Sequence, residues 1–240
     1  GPAALLRSRR VRLAAALAAA ALLAGGGAWA LYGSSWLRVE KVGVTGTDVL
    51  TPAQVRAAAA VPLGSPMAAV DTDEIADRLR GALPRIETVD VVRAWPHGIG
   101  LKVTERTPVL LVRKGTGYVE VDASGVRFAT VTKAPKGIPE LFLDASASPS
   151  LRRFDSERLL HEAVLVADGL PAEVSRQTRA LRVRSYDSFV LELTKGRIVV
   201  WGSPREGEAK GRALGALLKA APGAVQFDVS APSAPAASGS

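Results

Sequence analysis

Apolar positions fall along this chain in three regimes. From Leu13 to Tyr32 (LAAALAAAALLAGGGAWALY) they are continuous and uncharged. A helix of that length rises roughly 30 Å, one bilayer core. From Trp36 to about Arg106, short alternating runs flank two stretches of helical period. From Thr107 alternation dominates, broken by two more helical stretches, and core-forming residues give out at Ser230.

In the second regime, Trp36 to Val44 predicts a strand whose apolar phase slips once near Lys41, as at a bulge or a buried strand end. Gly46 supplies the conformational freedom for the turn after it. Thr51-Pro52-Ala53-Gln54 is a capping box with proline at the first helical position. It opens a helix to about Ala60 with Val55 and Ala59 on one face. Asp71 to Glu74 repeats the box, and Ile75, Leu79 and Leu83 stripe a second helix that Pro84 stops. Two strands then form a hairpin around Pro96-His97-Gly98. Strand, helix, helix, strand, strand is one three-stranded sheet with two helices to cover its apolar face.

In the third regime, VLLVRKG, GYVEVD and GVRFA predict strands. Residues 130–153 read as a proline-rich loop around the apolar patch Leu141-Phe142-Leu143, and a helix runs from about Ser156 to Ala167. ALRVRSY, SFVLELT and RIVVWG predict a meander with a tight turn at Lys195-Gly196. Ser203-Pro204-Arg205-Glu206 is a third capping box before a helix lined by Leu214, Leu217 and Leu218, with Glu206 able to pair with Lys210. AVQFDVS is the last predicted strand. SAPSAPAASGS is low-complexity and expected to be disordered. The fold class is α+β behind a single N-terminal apolar helix.

Charge changes the picture at one place. Of the net +8, half comes from Arg7, Arg9, Arg10 and Arg12, just before the apolar run, and the first acidic residue is Glu40. That bias reads as a membrane anchor with its N-terminus in the cytoplasm and the bulk outside; Trp29, Tyr32 and Trp36 sit where an aromatic belt would lie. Ala28-Trp29-Ala30 loosely fits the cleavage site of a secretory leader, the alternative reading, but the run is longer than a typical leader core. A buried helix of a soluble protein conflicts with the flanking arginines. Opening on Gly1-Pro2 suggests a fragment or a processed form. Beyond the cluster, charges of both signs alternate, with no basic stripe or recognition-helix pattern, which argues against nucleic acid.

Candidate chemistry is sparse. The absence of cysteine excludes disulfides, thiolate metal sites and cysteine nucleophiles, and two histidines cannot build a histidine-rich metal site alone. His97 sits in a hairpin turn and His161 beside a helix face, neither with a serine in a nucleophile elbow. Asp71, Asp73 and Glu74 suit a helix N-terminus better than general acid–base work. No phosphate-loop, dinucleotide or S-x-x-K pattern occurs. No catalytic residue, metal or cofactor is expected. Glu105 and Arg106, followed by Pro108, stand where the first module hands over to the second. They either lock the angle between modules or form an ordinary surface pair.

The basic tail, the anchor, VEKVGVTGTDVLTPAQV, VDVVRAWPHGIGLKVTERTPV, YVEVDASGVRF, LELTKGRIVVWGSPREGEAKGRALGALLKAAPG and FDVSAPSAP together resemble the FtsQ/DivIB family of bacterial division proteins, its actinobacterial branch in particular. The resemblance runs from Arg7 to Pro235. It implies a cytoplasmic tail (1–12), an anchor (13–32), a POTRA-type domain (37–106), the family's β-domain (107–230) and a disordered tail (231–240). It also implies a non-enzymatic scaffold of the divisome at the septum, with FtsB-like and FtsL-like membrane proteins as partners, helping to regulate septal peptidoglycan synthesis. A POTRA-bearing module of a transport or envelope-assembly system is the alternative.

In that family the main partner contact is a strand added at the edge formed by the last β-strand. The matching positions are Ala224, Val225, Gln226, Phe227, Asp228 and Val229, with Trp201 nearby. Phe227 either touches the partner or points into the core, and Trp201 is core-facing or partner-facing. Val225-Gln226-Phe227 departs from the tyrosine that proteobacterial members carry near the start of this strand.

Overall fold

The computed structural model describes residues 2–144 and 156–239. It divides into two compact units, one up to Glu105 and one from Arg106. The loop around Pro149 lies outside the described residues.

The first unit begins with α1 (Pro2–Ala28), which passes into a π-helical turn, Trp29–Gly33. The folded part continues as β1 (Lys41–Thr45), α2 (Pro52–Ala59), α3 (Thr72–Ala82), β2 (Ile86–Ala94) and β3 (Gly98–Glu105). β3 is the central strand, parallel to β1 and antiparallel to β2. The capping box at α2 is complete: the Thr51 hydroxyl accepts from the Gln54 N–H, and the Gln54 side chain accepts from the Thr51 N–H at 2.8 Å. At α3 only half of it forms. Asp71 accepts from the Asp73 and Glu74 N–H groups, while the Glu74 side chain turns to Arg78 instead. Val55, Ala59, Ile75 and Leu79 pack on Ile99, Leu101 and Val103 of the sheet. Gly46, at φ 83°, lies where a Cβ would come within 2.0 Å of the Val103 carbonyl oxygen, so only glycine fits that turn.

The strand expected from Trp36 starts only at Lys41. Ser34 caps a single 3₁₀ turn, Ser35–Leu37, and Arg38 makes an isolated bridge to Pro66. The slip near Lys41 therefore marks the end of a loop that buries Val39, not a bulge.

The second unit is one nine-stranded sheet. Its strands are β4 (Pro108–Lys114), β5 (Gly117–Asp122), β6 (Arg127–Val131), β7 (Glu140–Leu143), β8 (Thr178–Ser185), β9 (Ser188–Leu193), β10 (Ile198–Gly202), β11 (Gln226–Asp228) and β12 (Ala236–Ser238). They lie in the order β12-β11-β10-β9-β8-β7-β4-β5-β6. The patch Leu141-Phe142-Leu143, expected in a loop, is a central strand with parallel partners on both sides. Such a short apolar run has too little period to declare itself; the flanking ladders decide it.

α4 (Ser156–Asp168) packs over β4, β7 and β8, and α6 (Gly207–Ala220) contributes Leu214 to the same core; a short α5 (Ala172–Ser175) lies between them in sequence. Alternation sets the face: Phe189, Leu191 and Leu193 of β9 are buried, and Ser188, Val190 and Glu192 between them only partly so. The third capping box does not form. Glu206 itself precedes α6 in the left-handed region, φ 56°, without a side-chain cap. Lys210 does not pair with Glu206 but donates from its ammonium to the Ser203 carbonyl at 2.7 Å, curling residues 203–206 over the helix start. Burial lowers the Lys210 pKa, partly offset by the Glu206 charge.

Candidate partner-binding edge

The geometry of the sheet end begins with α6. After Ala221 the chain turns through Pro222-Gly223 and enters β11 parallel to β10, pairing Ile198, Val199 and Val200 with Gln226, Phe227 and Asp228. The ladder is extended by Ile198 N–H donating to the Val225 carbonyl and by Val229 N–H donating to that of Val200. Beyond Asp228 the chain reverses, the Asp228 carboxylate accepting from the Ser230 N–H and hydroxyl at 2.9 and 2.7 Å. A turn in which Ala234 N–H donates to the Ala231 carbonyl brings the chain back as β12, antiparallel to β11.

The segment expected to be disordered thus supplies the last strand of the sheet, and β11 is an interior strand with neighbours on both sides. Ala236, Ala237 and Ser238 have weak strand propensity, but the waiting edge of β11 overrides it. Sequence reasoning missed β12, and the signal for it is partial: Asp228-x-Ser230 is a turn pattern, and Pro232 and Pro235 punctuate the segment after it.

The seven candidate contact residues are placed accordingly. Phe227 and Val229 are fully buried, Trp201 is 1% exposed, and Ala224 is buried with them in one core. Val225 is half exposed, Gln226 exposed and Asp228 partly buried. The main-chain groups of 226–228 are committed to ladders on either side. Among the described residues, the open row at this end of the sheet belongs to β12. Gly239, at φ 77°, lets the Val225 N–H reach its carbonyl at 3.1 Å; a Cβ there would strike Val225 at 2.5 Å. Beside β12 a hollow of about 310 Å³ is lined by Ala221, Gly223, Ala224, Ala237, Ser238 and Gly239, all small residues.

Glu105, the last residue of the first unit, and Arg106, the first of the second, point into different structures. The Glu105 carboxylate accepts from the N–H groups of Asp48, Val49 and Leu50 at 2.9 to 3.2 Å, bracing the turn after β1. Arg106 pairs with Asp122, which also accepts from the Ser124 and Val126 N–H groups. His97 lies in the β2–β3 turn, its Nδ1 4.0 Å from Glu40, and His161 is exposed on α4.

Residues 37–106 match the family model of the FtsQ-type POTRA domain. Across the wider chain, the cell division protein FtsQ of Streptomyces venezuelae is 64% identical over 219 residues, 91% of this chain and 81% of that protein. The chain belongs to the FtsQ family. FtsQ of Streptomyces collinus is 63% identical over 97% of this chain and 90% of its own length. Among solved structures, the major extracytoplasmic domain of the division protein DivIB from Geobacillus stearothermophilus is similar at 17% identity and a TM-score of 0.37, over 49% of this chain and 94% of that one. By its family model and its Streptomyces relatives, this FtsQ-family chain is a cell division protein with a POTRA domain, and its own elements are α+β. Its helix Arg12–Gly33 is long and apolar enough to cross a membrane, as in a membrane-anchored division protein.

Proposed function

We propose that this FtsQ-family protein is a non-catalytic divisome scaffold whose β12 edge accepts a strand from a small FtsB- or FtsL-type membrane partner. The N-terminus lies in the cytoplasm, and the two folded units lie outside the membrane at the septum. Through its partners the scaffold helps regulate septal peptidoglycan synthesis.

The observation that carries this reading is the open ladder of β12. A three-residue strand with only methyl and hydroxymethyl side chains presents its backbone with little to shield it, which is how a guest strand gains main-chain bonds. Ser238 turns its carbonyl toward Val225, so by strand alternation the N–H and C=O of Ala237 face away from β11. The adjoining hollow has room for a side chain from the guest. The basic cluster before the anchor supports the orientation.

The test is binding of the full chain to the extracytoplasmic segment of an FtsB-like partner, comparing Ala237→Pro with the unsubstituted protein. Loss of binding with an unchanged melt is the expected result. Full binding by Ala237→Pro would move the partner site off this edge.

A further inference from the structure

Four tryptophans occur in the chain. Trp201 is in the core of the second unit, whereas Trp29, Trp36 and Trp95 are 69%, 74% and 50% exposed. All three belong to the first unit. Trp29 lies on the helix that leads into the POTRA domain, and the other two sit at the end of the domain nearest that helix.

That end is defined by the sheet. β1 and β3 both start there, Lys41 beside Gly98, and β2 finishes there with Ala94 opposite Gly98. The Glu40 N–H donates to the His97 carbonyl at 2.8 Å, which fastens the Trp95-Pro96-His97 turn to the incoming chain. The loop 62–66 is fastened to the same chain: Gly64 N–H donates to the Val39 carbonyl, Val39 N–H to that of Ser65, and the Arg38 guanidinium to that of Gly64 at 2.7 Å. Leu63, at the tip, is 64% exposed. The turn Met67–Ala69 packs beside Trp29–Gly33 at the end of the helix.

A single exposed leucine needs no explanation, but large apolar side chains gathered at one end do. Trp36 follows Gly33, the end of the candidate span, by three residues, so even fully extended chain leaves it within roughly 10 Å of the hydrocarbon boundary. The headgroup layer on each side of a bilayer is itself about 5–7 Å thick, and tryptophan prefers that layer. The exposed Lys41 ammonium stands at the same end, where lipid phosphates would meet it. Glu40 lies at this end too, 4.0 Å from His97, so it is the gathered apolar side chains rather than net charge that mark it.

We propose that the anchor-side end of the POTRA domain is seated in the membrane interface, with Trp36, Leu63 and Trp95 entering the headgroup layer. The partner is the lipid surface itself, and the seat holds the domain at a set depth and limits its swing about the anchor. This rests on the reading of α1 as a membrane anchor.

The chain has no cysteine, so single-site nitroxide labels test this directly. Labels are placed by Ala20→Cys, Leu63→Cys, Trp95→Cys and Val49→Cys in the full chain, reconstituted in phosphatidylcholine vesicles containing phosphatidylglycerol. Collision with oxygen, which concentrates in lipid, is compared with collision by a water-soluble nickel chelate. The label at 20 should be in the acyl core. Labels at 63 and 95 should give an oxygen-to-nickel ratio severalfold above that at 49, on the far end. Adding Trp36→Ser to Leu63→Ser should lower the ratio at 95 toward that at 49 without changing the far-ultraviolet spectrum. Ratios at 63 and 95 equal to that at 49, with 20 in lipid, would overturn the seat and leave the anchor intact. A water-exposed label at 20 would overturn the anchor, and the seat with it.

Discussion

The two units are built on different terms. In the POTRA domain, each helix is started by a side chain within three residues of it, the sheet has three strands, and the chain order nearly states the topology. In the second unit, three parallel joins (β4 with β7, β7 with β8, β10 with β11) link segments far apart in sequence, and the end of the sheet is made by the last residues described. Local interactions start both helices of the first, which needs one distant join, β1 beside β3; the second depends on several such ladders, which exist only once the sheet has assembled. Loss of a central core residue should therefore cost the second unit most, while the first should answer to small local changes.

Phe227→Ala should do the most damage. Removing a fully buried ring from the core shared with Trp201 and Leu214 should destabilise the second unit by about 3–5 kcal/mol. In a denaturant titration the transition of the POTRA domain should not move. If both transitions shift together, the units are not energetically separate and the contrast fails. Phe227→Asp is expected to unfold the second unit, so it cannot serve as a probe of partner contact.

Glu105 and Arg106 test the contrast at its seam. Arg106→Met leaves the Asp122 carboxylate without its cation at 8% side-chain exposure and should cost the second unit about 1–3 kcal/mol. Glu105→Ala leaves the amides of 48–50 without their carboxylate and should cost the first unit about 1 kcal/mol, since the site is largely open to water. Each should loosen its own unit. The proposal that the pair also fixes an angle between modules predicts a changed scattering profile for either variant; unchanged profiles would remove it.

Thr51→Ala breaks the capping box of α2 and should lower the stability of the POTRA domain by about 1 kcal/mol, read from its unfolding midpoint. Lys210 provides a pH test of the second unit. Burial lowers its folded pKa below the ordinary 10.5 of the unfolded chain, so the unfolded state binds the extra proton between the two values. Stability contributed by this group should rise as pH climbs through that window, and Lys210→Met should flatten the rise. Ala237→Pro should change stability least, within about 0.5 kcal/mol as for other surface substitutions, although it should weaken partner binding more than any other change.

Several features were readable directly from residues. The apolar run after four arginines, the Thr51 box, the turn at Gly46 and the strand–helix–helix–strand–strand order all depend on neighbours within a few positions. The meander β8-β9-β10 was equally plain from its alternation. The candidate site was readable as a kind of place, the edge of the last strand, but not as an address. The direction of Phe227 stays open between core and partner until it is seen packed with Trp201 and Leu214, and the backbone row of β11 looks open until β12 is laid beside it.

Local spacing therefore carried the membrane-length helix, the Thr51 cap, the periodicities and the α+β class from residues alone. Only the assembled chain shows which strand is outermost, that Leu141-Phe142-Leu143 is central, that Lys210 reaches back to Ser203, and that Trp36, Leu63 and Trp95 share one end. The division arises because a strand makes its ladder bonds to distant residues, whereas a helix and its caps bond within a few positions. Whether Ala-Ala-Ser remains a loose tail or closes a sheet depends on the unpaired backbone it finds, not on its own side chains.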